Sequence, residues 1–206
     1  MKTVPSLRDS KSELRKQIRR LRAGLDDTRR RALDAAINRH LLELAERLKP
    51  RVIAAYQAFD GEPDLAPALQ ELRRRGACLA LPVVHSEPGR AAISFRDWPA
   101  DAEMCDNGFG IREPIDTRDV PVDELDLVLV PLVAWDADGG RLGMGASFYD
   151  RLFQPFARLD RPRRVGVGYR LQQLEQVPLE PWDIRLHLVL TDDGCIECGA
   201  GAAEPR

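Results

Sequence analysis

The chain has 206 residues, of which 44% are hydrophobic and 31% charged, with a formal net charge of −2. That length and composition fit one domain with enough apolar residues for a core. The near-neutral balance argues against a polyanion binder working by bulk charge, and no apolar run approaches the ~18 residues that span a membrane.

Residues 1–9 read as a flexible arm without the apolar core of a signal peptide. Ser10-Lys11-Ser12-Glu13 fits a capping box, S-x-x-E, opening a helix with an apolar stripe of Leu14, Ile18, Leu21 and Leu25. At about 100° per residue, Lys11 and Arg15 fall beside that stripe and can border a packed cleft, while Lys16 and Arg20 fall on the far face. Asp26, Asp27 and Thr28 break and restart the helix. Leu33, Ile37, Leu41, Leu44 and Leu48 then form a second stripe, stopped by Pro50.

Residues 51–59 read as a strand, and Asp60-Gly61-Glu62-Pro63 as a turn. Asp64 can cap a helix through Arg75, with Gly76 just past its end. Strands are expected over 77–84 and 93–98, and residues 101–123 are polar and irregular. The apolar run from Leu125 to Trp135 reads as a buried strand. A glycine-rich turn follows, then a helix on which Tyr149, Leu152, Phe153 and Phe156 recur at helical spacing. Ser147 can cap that helix, with Asp150 three residues on as a capping-box acid. The spacing predicts a strand over 164–169, a helical turn over 171–177 and a last strand over 184–191. Residues 10–193 thus make one α/β domain, and 194–206, rich in Gly and Ala, read as a disordered tail. Cys195 and Cys198 have C-x-x-C spacing there, but no second ligand pair accompanies them. Four cysteines do not form a secreted disulfide framework in a chain this long, so a reducing cytoplasm is expected.

Apolar strands alternating with helices argue a mostly parallel sheet covered on both faces. Ligands of such sheets bind outside the carboxyl ends of the strands. Glu62 and the glycine loop each follow a strand's carboxyl end, so both could face one crevice.

The loop, Gly139-Gly140-Arg141-Leu142-Gly143-Met144-Gly145-Ala146-Ser147-Phe148-Tyr149-Asp150-Arg151, has chemistry of its own. Glycines allow close backbone approach, and a helix start offers unpaired N–H donors. Together they suit an anion such as phosphate. Arg141 adds a positive charge, and Asp150 an oxygen suited to Mg²⁺. A purely structural turn accounts for the glycines equally well. The loop is neither a Walker loop nor a dinucleotide fingerprint, since the lysine of one and the third glycine of the other are missing.

The longer string DLVLVPLVAWDADGGRLGMGASFYDR resembles the signature of the 5-formyltetrahydrofolate cyclo-ligase family, a DLVLVP strand followed by R-L-G-x-G-x-G-Y-Y-D-R. The likeness extends from about Lys11 to Thr191. It implies a three-layer α/β/α fold with a mostly parallel sheet, similar to the ribose-phosphate isomerase and CoA-transferase type. It also implies ATP- and Mg²⁺-dependent conversion of 5-formyltetrahydrofolate to 5,10-methenyltetrahydrofolate. Lys11 and Arg15 match the family's Lys-x-x-x-Arg, which contacts ATP phosphates. The loop from Arg141 through Leu142, Gly143, Met144, Gly145, Ala146, Ser147, Phe148 and Tyr149 matches its ATP-binding segment. Asp150 and Asp183 match its Mg²⁺-linked aspartates, and Glu62, in YQAFDGEPDL, matches the glutamate that hydrogen-bonds the pterin. Phe109, in FGIREP, is placed for stacking on the pterin, and Met144, Phe148 and Tyr149 for lining the folate pocket.

Each residue also has a plain alternative. Glu62 is equally a turn acid, Asp183 a strand-start aspartate, and Phe109, Met144 and Phe148 core side chains. Ser147 stands where the family has glycine, so one loop turn is expected to differ. Phe148 stands where it has tyrosine and loses a hydroxyl. Two other functions stay open: a folate- or nucleotide-binding paralogue without turnover, and a nucleic-acid module using the basic segment 11–31. The expectation is a monomer that binds folate and ATP, with no nucleic acid or membrane partner.

Overall fold

The computed structural model describes residues 7–87 and 90–199. Its N-terminal part runs α1 (Leu7–Ala23), α2 (Asp27–Leu48), β1 (Val52–Ala54), α3 (Ala66–Arg74), β2 (Cys78–Glu87) and β3 (Arg90–Asp97). The middle holds β4 (Met104–Asp106), β5 (Arg112–Pro114), β6 (Asp119–Val120), β7 (Leu127–Pro131), β8 (Ala134–Trp135) and β9 (Arg141–Leu142). Then come α4 (Phe148–Phe153), β10 (Arg163–Val167), β11 (Leu188–Thr191) and β12 (Gly194–Glu197).

The main sheet has the order β12-β11-β10-β7-β1-β2-β3-β6. Its five central strands, β11 to β2, are parallel, and β3, β6 and β12 add antiparallel edges. β7 reads LVLVP and is buried at four of its five positions, as a strand covered on both faces must be. One face packs Ile37, Leu41 and Leu44 of α2 and Leu69 and Leu72 of α3 against Ile53, Leu79, Leu127 and Val165. The other face buries Trp135, Phe153 and Leu186 with Phe95, Val128 and Val130. Each fully buried side chain of this kind contributes roughly 1.5–3 kcal/mol. The result is the expected three-layer α/β/α arrangement.

Several local expectations change. α1 is already helical at Leu7, within the span expected to be an arm, so Ser10 lies inside the helix rather than at its start. The stripe of α1 continues from Ile18 to Arg22, which is 1% exposed, while Leu21 is 57% exposed. Asp26 does cap α2, accepting from the Arg29 N–H at 2.8 Å. The strand expected over 51–59 leaves its ladder after Ala54, and the chain turns at Asp60 and Gly61 with φ of 52° and 75°. Residues 101–123 contain the β4–β5 hairpin and β6. The turn expected to be helical over 171–177 is a short 3-10 turn at Arg170–Gln172 only. The last strand begins only at Leu188, so Ile184 and its neighbours precede it outside the ladder.

The expected tail forms an edge strand over 194–197, and residues 200–206 lie outside the described residues. Cys195 packs toward the core under α2 and Cys198 toward the opposite core. Their C-x-x-C spacing therefore puts the thiols on opposite faces of the sheet. Burial pushes the Cys198 thiol up to about 12, so it stays protonated and unreactive. Among the described residues no helix is long and apolar enough to cross a membrane.

Candidate active site

A cleft of about 580 Å³ opens at the carboxyl ends of β1, β2 and β7. It is lined by the segments after β1 (Tyr56, Gln57, Phe59, Glu62) and β7 (Pro131, Leu132), by the glycine loop, and by Lys11 and Arg15 of α1. Glu180, Trp182 and Asp183, before β11, complete one wall. Every residue singled out in the sequence as a binding candidate thus borders one cavity.

The charged end is built by α1. Lys11, Arg15, Ile18 and Arg22 follow a 4-3-4 spacing, which puts all four on one helix face. Ile18 packs with Val133, Ala134, Leu142 and Val177 and so seats α1 over the β8–β9 hairpin. That anchor brings Lys11 Nζ to 2.8 Å from Asp183 Oδ2 and Arg15 Nε to 2.8 Å from the Gly143 carbonyl. Lys16 and Arg20 are exposed on the far side. Asp183 Oδ2 also accepts the Glu180 N–H at 2.9 Å, so it organises its own turn as well as facing the cleft.

The glycine loop divides in two. Gly139 and Gly140 belong to the β8–β9 hairpin turn, where Asp136 accepts the Gly140 N–H at 2.7 Å. A Cβ at Gly140 would meet that carboxylate at 2.4 Å, so this glycine is structural. Gly143 to Ser147 then cross the cleft to α4. Gly145 has φ 108°, and a Cβ there would lie 3.6 Å from the Arg15 guanidinium carbon. Ser147 adopts φ 49°, ψ 30°, and its hydroxyl makes no cap bond. The expected serine cap is absent because the left-handed backbone turns the residue away from the extended geometry an N-cap needs. Asp150 is likewise no capping-box acid. Its Oδ1 accepts from Arg141 Nη2 at 2.5 Å and from the Ile184 N–H at 3.1 Å. Arg141, with a side chain only 5% exposed, also donates to the Ile184 carbonyl at 3.0 Å. The pair ties the loop to the wall that carries Asp183.

Asp150 and Asp183 each commit Oδ1 and Oδ2 respectively to these bonds, leaving one further oxygen on each carboxylate. Among the described residues no group of three or more His, Cys, Asp or Glu side chains could hold a metal. Two monodentate carboxylates fit Mg²⁺ only where phosphate oxygens and water complete six ligands, which is how Mg²⁺ usually binds with nucleotides.

The other end is aromatic and apolar. Phe59, Phe109 and Met144 are 45%, 57% and 48% exposed at its rim, with Ile93, Ile111 and Val84 beneath. Phe109 sits at the tip of the β4–β5 hairpin, whose turn is held by Asn107 Oδ1 accepting from the Phe109 and Ile111 N–H groups. Phe109 and Met144 are therefore not core. Phe148 and Tyr149 are half-buried, and the Tyr149 ring lies 6.0 Å from that of Phe153. Burial, reinforced by Glu62, raises the Tyr149 hydroxyl's pKa, so it remains a neutral donor. Glu62 lies among these groups. Burial pushes its carboxyl up to about 7, against the opposing pull of the Phe59 N–H at 3.2 Å and of Arg22.

Residues not singled out beforehand are Tyr56, Phe59, Trp182, Arg22 and Asp60. Tyr56 and Phe59 could have been found by following β1 past its carboxyl end, Trp182 by its adjacency to Asp183, and Arg22 by its i+4 relation to Ile18. Arg19, Arg22 and Arg30 of the basic N-terminal segment bond Asp60 or backbone carbonyls rather than presenting free guanidinium groups.

The comparisons with known proteins agree with this layout. Residues 7–192 match the model of the 5-formyltetrahydrofolate cyclo-ligase family. A 5-formyltetrahydrofolate cyclo-ligase of Haemophilus influenzae is 36% identical over 182 residues, covering 87% of this chain and 96% of that protein. The Escherichia coli protein of the same name is 40% identical over 142 residues, 68% and 76% of the two chains. The NMR structure of Aquifex aeolicus 5,10-methenyltetrahydrofolate synthetase superimposes with a TM-score of 0.79 at 33% identity, over 95% of this chain and 96% of that one. A match over nearly the whole chain, in sequence and in fold, makes this protein a member of the 5-formyltetrahydrofolate cyclo-ligase family.

Proposed function

We propose that this protein closes 5-formyltetrahydrofolate to 5,10-methenyltetrahydrofolate, converting ATP to ADP and phosphate. The observation that carries the proposal is the two-ended cleft, with Lys11, Arg15, Arg141, Asp150 and Asp183 at one end and Glu62 among aromatic rings at the other. The formyl oxygen of a formamide is a poor leaving group. Its attack on the γ-phosphorus forms an O–P bond and releases ADP. N10 then attacks the activated carbon, loses its proton, and phosphate departs to leave the methenyl bridge.

Phosphoryl transfer depends on positioning and charge neutralisation rather than on a protein nucleophile. Lys11 and Arg15 supply cations, and the backbone of Gly143 to Ser147 supplies N–H donors for the phosphates. Lys11 must exchange its bond to Asp183 for a phosphate oxygen, which frees the carboxylate as a cation arrives. Asp150 and Asp183 would hold Mg²⁺, whose contribution is to neutralise phosphate charge. Glu62 accepts paired N–H bonds from the pterin, and its carboxylate form is the one that can do so. Phe109 and Phe59 cover the pterin faces, while Met144, Phe148 and Tyr149 line the passage between the two ends.

Mixing the protein with 5-formyltetrahydrofolate and MgATP tests this directly. Methenyl product, followed by its absorbance, and ADP should appear in equal amounts. Folded protein that releases no ADP in the presence of the folate would overturn the proposal.

A further inference from the structure

The turn that presents Glu62 is held by a contact outside the cleft. Asp60 and Gly61 are both left-handed, and the Glu62 N–H closes the turn on the Phe59 carbonyl at 3.0 Å. Asp60 Oδ2 accepts from Arg19 Nε at 2.8 Å and from Arg22 Nη2 at 2.9 Å. A Cβ on Gly61 would lie 2.6 Å from Arg30 Nη1 and 3.8 Å from Arg22 Cγ, so the turn is seated against the corner between α1 and α2. Arg22 is the unusual member. Its side chain is 1% exposed, yet Nε and Nη1 have no hydrogen-bond partner. A buried guanidinium held by one bond is costly, and a leucine there would extend the stripe of Leu14 and Ile18 at no such cost. Packing alone gives no reason for an arginine at this position.

We infer that Arg22 and Asp60 are a positioning pair for Glu62, fixing the pterin acceptor from the same helix that carries Lys11 and Arg15 to the nucleotide end. Lys11 and Arg22 are eleven residues apart on α1, about 16 Å at the helical rise, which matches two ligand ends served by one rigid rod. The pair touches neither ligand. It acts by holding the Asp60–Glu62 turn against α1; the charge of Arg22 favours the ionised carboxylate of Glu62 and that of Asp60 opposes it, so the pair's effect is one of position. This inference rests on the proposed folate chemistry of the cleft.

The test uses the full chain, with steady-state rates measured against each substrate and 5-formyltetrahydrofolate binding measured by calorimetry. Asp60→Asn keeps a residue that tolerates the left-handed conformation but removes the charge. Arg22→Leu removes the other partner, and thermal melting checks that both variants fold. Each should raise KM for 5-formyltetrahydrofolate, and its Kd, about tenfold while leaving KM for ATP within about twofold. In a Glu62→Gln background the same changes should add less than about twofold, because the pair works through Glu62. Equal increases in both KM values, or an undiminished tenfold loss in the Glu62→Gln background, would overturn the inference. Wild-type protein that neither binds nor turns over the folate would overturn the functional proposal as well, so the two failures are distinguishable.

Discussion

The two ends of the cleft prepare for their ligands in opposite ways. At the charged end every side chain already has a partner: Lys11 with Asp183, Arg15 with the Gly143 carbonyl, Arg141 with Asp150. Those five side chains keep one net positive charge, carried by Arg15, and in the proposed reaction the Lys11–Asp183 bond is exchanged for a phosphate oxygen. At the aromatic end Glu62 accepts the Phe59 N–H, and no ion pair holds it among the described residues. Phe59 and Phe109 stand exposed, and Glu62 is held near its point of ionisation by burial. One end is therefore organised by internal ion pairs and the other by desolvation. Substitutions should separate them by substrate, by metal response and by pH.

The largest effect is expected at Asp150. Asn keeps an oxygen for the Arg141 and Ile184 bonds but loses the charge. Turnover of Asp150→Asn should fall on the order of 100-fold, as for other groups that stabilise transferring charge. Its Mg²⁺ requirement should rise, while melting reports a loss of only about 1–3 kcal/mol, the worth of a weakened hydrogen bond to a charged group. A large stability loss with an unchanged Mg²⁺ titration would make the Arg141–Asp150 pair a brace for the loop and nothing more.

Next come Lys11 and Arg15. Replacing either with Ala should lower kcat/KM for ATP about 10- to 100-fold and leave folate binding within about twofold. Lys16→Ala and Arg20→Ala, on the exposed face, should behave as wild type. If all four variants behave alike, α1 is simply a basic surface and the charged end loses its definition.

Glu62→Gln sharpens the contrast through pH. The carboxyl's folded pKa is raised from 4.5 to about 7 by burial. A raised acid pKa contributes stability that is fully present below about 4.5 and is lost as pH rises through about 7. Gln carries no such penalty, so Glu62→Gln should melt above wild type at pH 8 and close to it at pH 5. Its affinity for 5-formyltetrahydrofolate should drop about tenfold at pH 8, whereas wild-type affinity should itself rise with pH through 7. A melting difference that does not change with pH would show that Glu62 is not desolvated in the free protein.

How much of this was legible depends on the range of the interaction. The central parallel strands, the helical stripes and the cleft location followed from local apolar patterning and from the rule that ligands sit at carboxyl ends. The Lys11–Arg15 face followed from helical geometry alone. The capping-box reading of Asp150 failed because its spacing from Ser147 mimics such a box, while its partners, Arg141 and the Ile184 N–H, come from β9 and a segment 34 residues away. Leu21 was placed in the stripe by hydrophobicity, but the face that packs runs through Ile18 to Arg22 because Asp60 waits there. Edge strand β12 was read as tail because its Gly-rich composition says nothing of the unpaired edge of β11 that recruits it. The misses share one cause: each is decided by a partner remote in sequence.

The smallest effect concerns the joint between the two ends. Ser147 connects the glycine loop to Phe148 and Tyr149, and it does so with φ 49° and no cap bond from its hydroxyl. A non-glycine residue pays about 1–2 kcal/mol for that conformation. Glycine avoids the strain but gives back roughly 0.4–1 kcal/mol through the freer unfolded chain. Ser147→Gly should therefore stabilise the protein by no more than about 1 kcal/mol, with turnover within about twofold of wild type. Ser147→Ala separates strain from capping. If the hydroxyl capped α4, its loss would cost roughly 0.5–2 kcal/mol. The backbone geometry predicts almost no change, since Ala keeps the strain and removes a hydroxyl that holds nothing. Melting curves of the two variants beside wild type decide the matter: Gly above and Ala level supports a strained joint, and Ala clearly below with Gly no higher restores the cap.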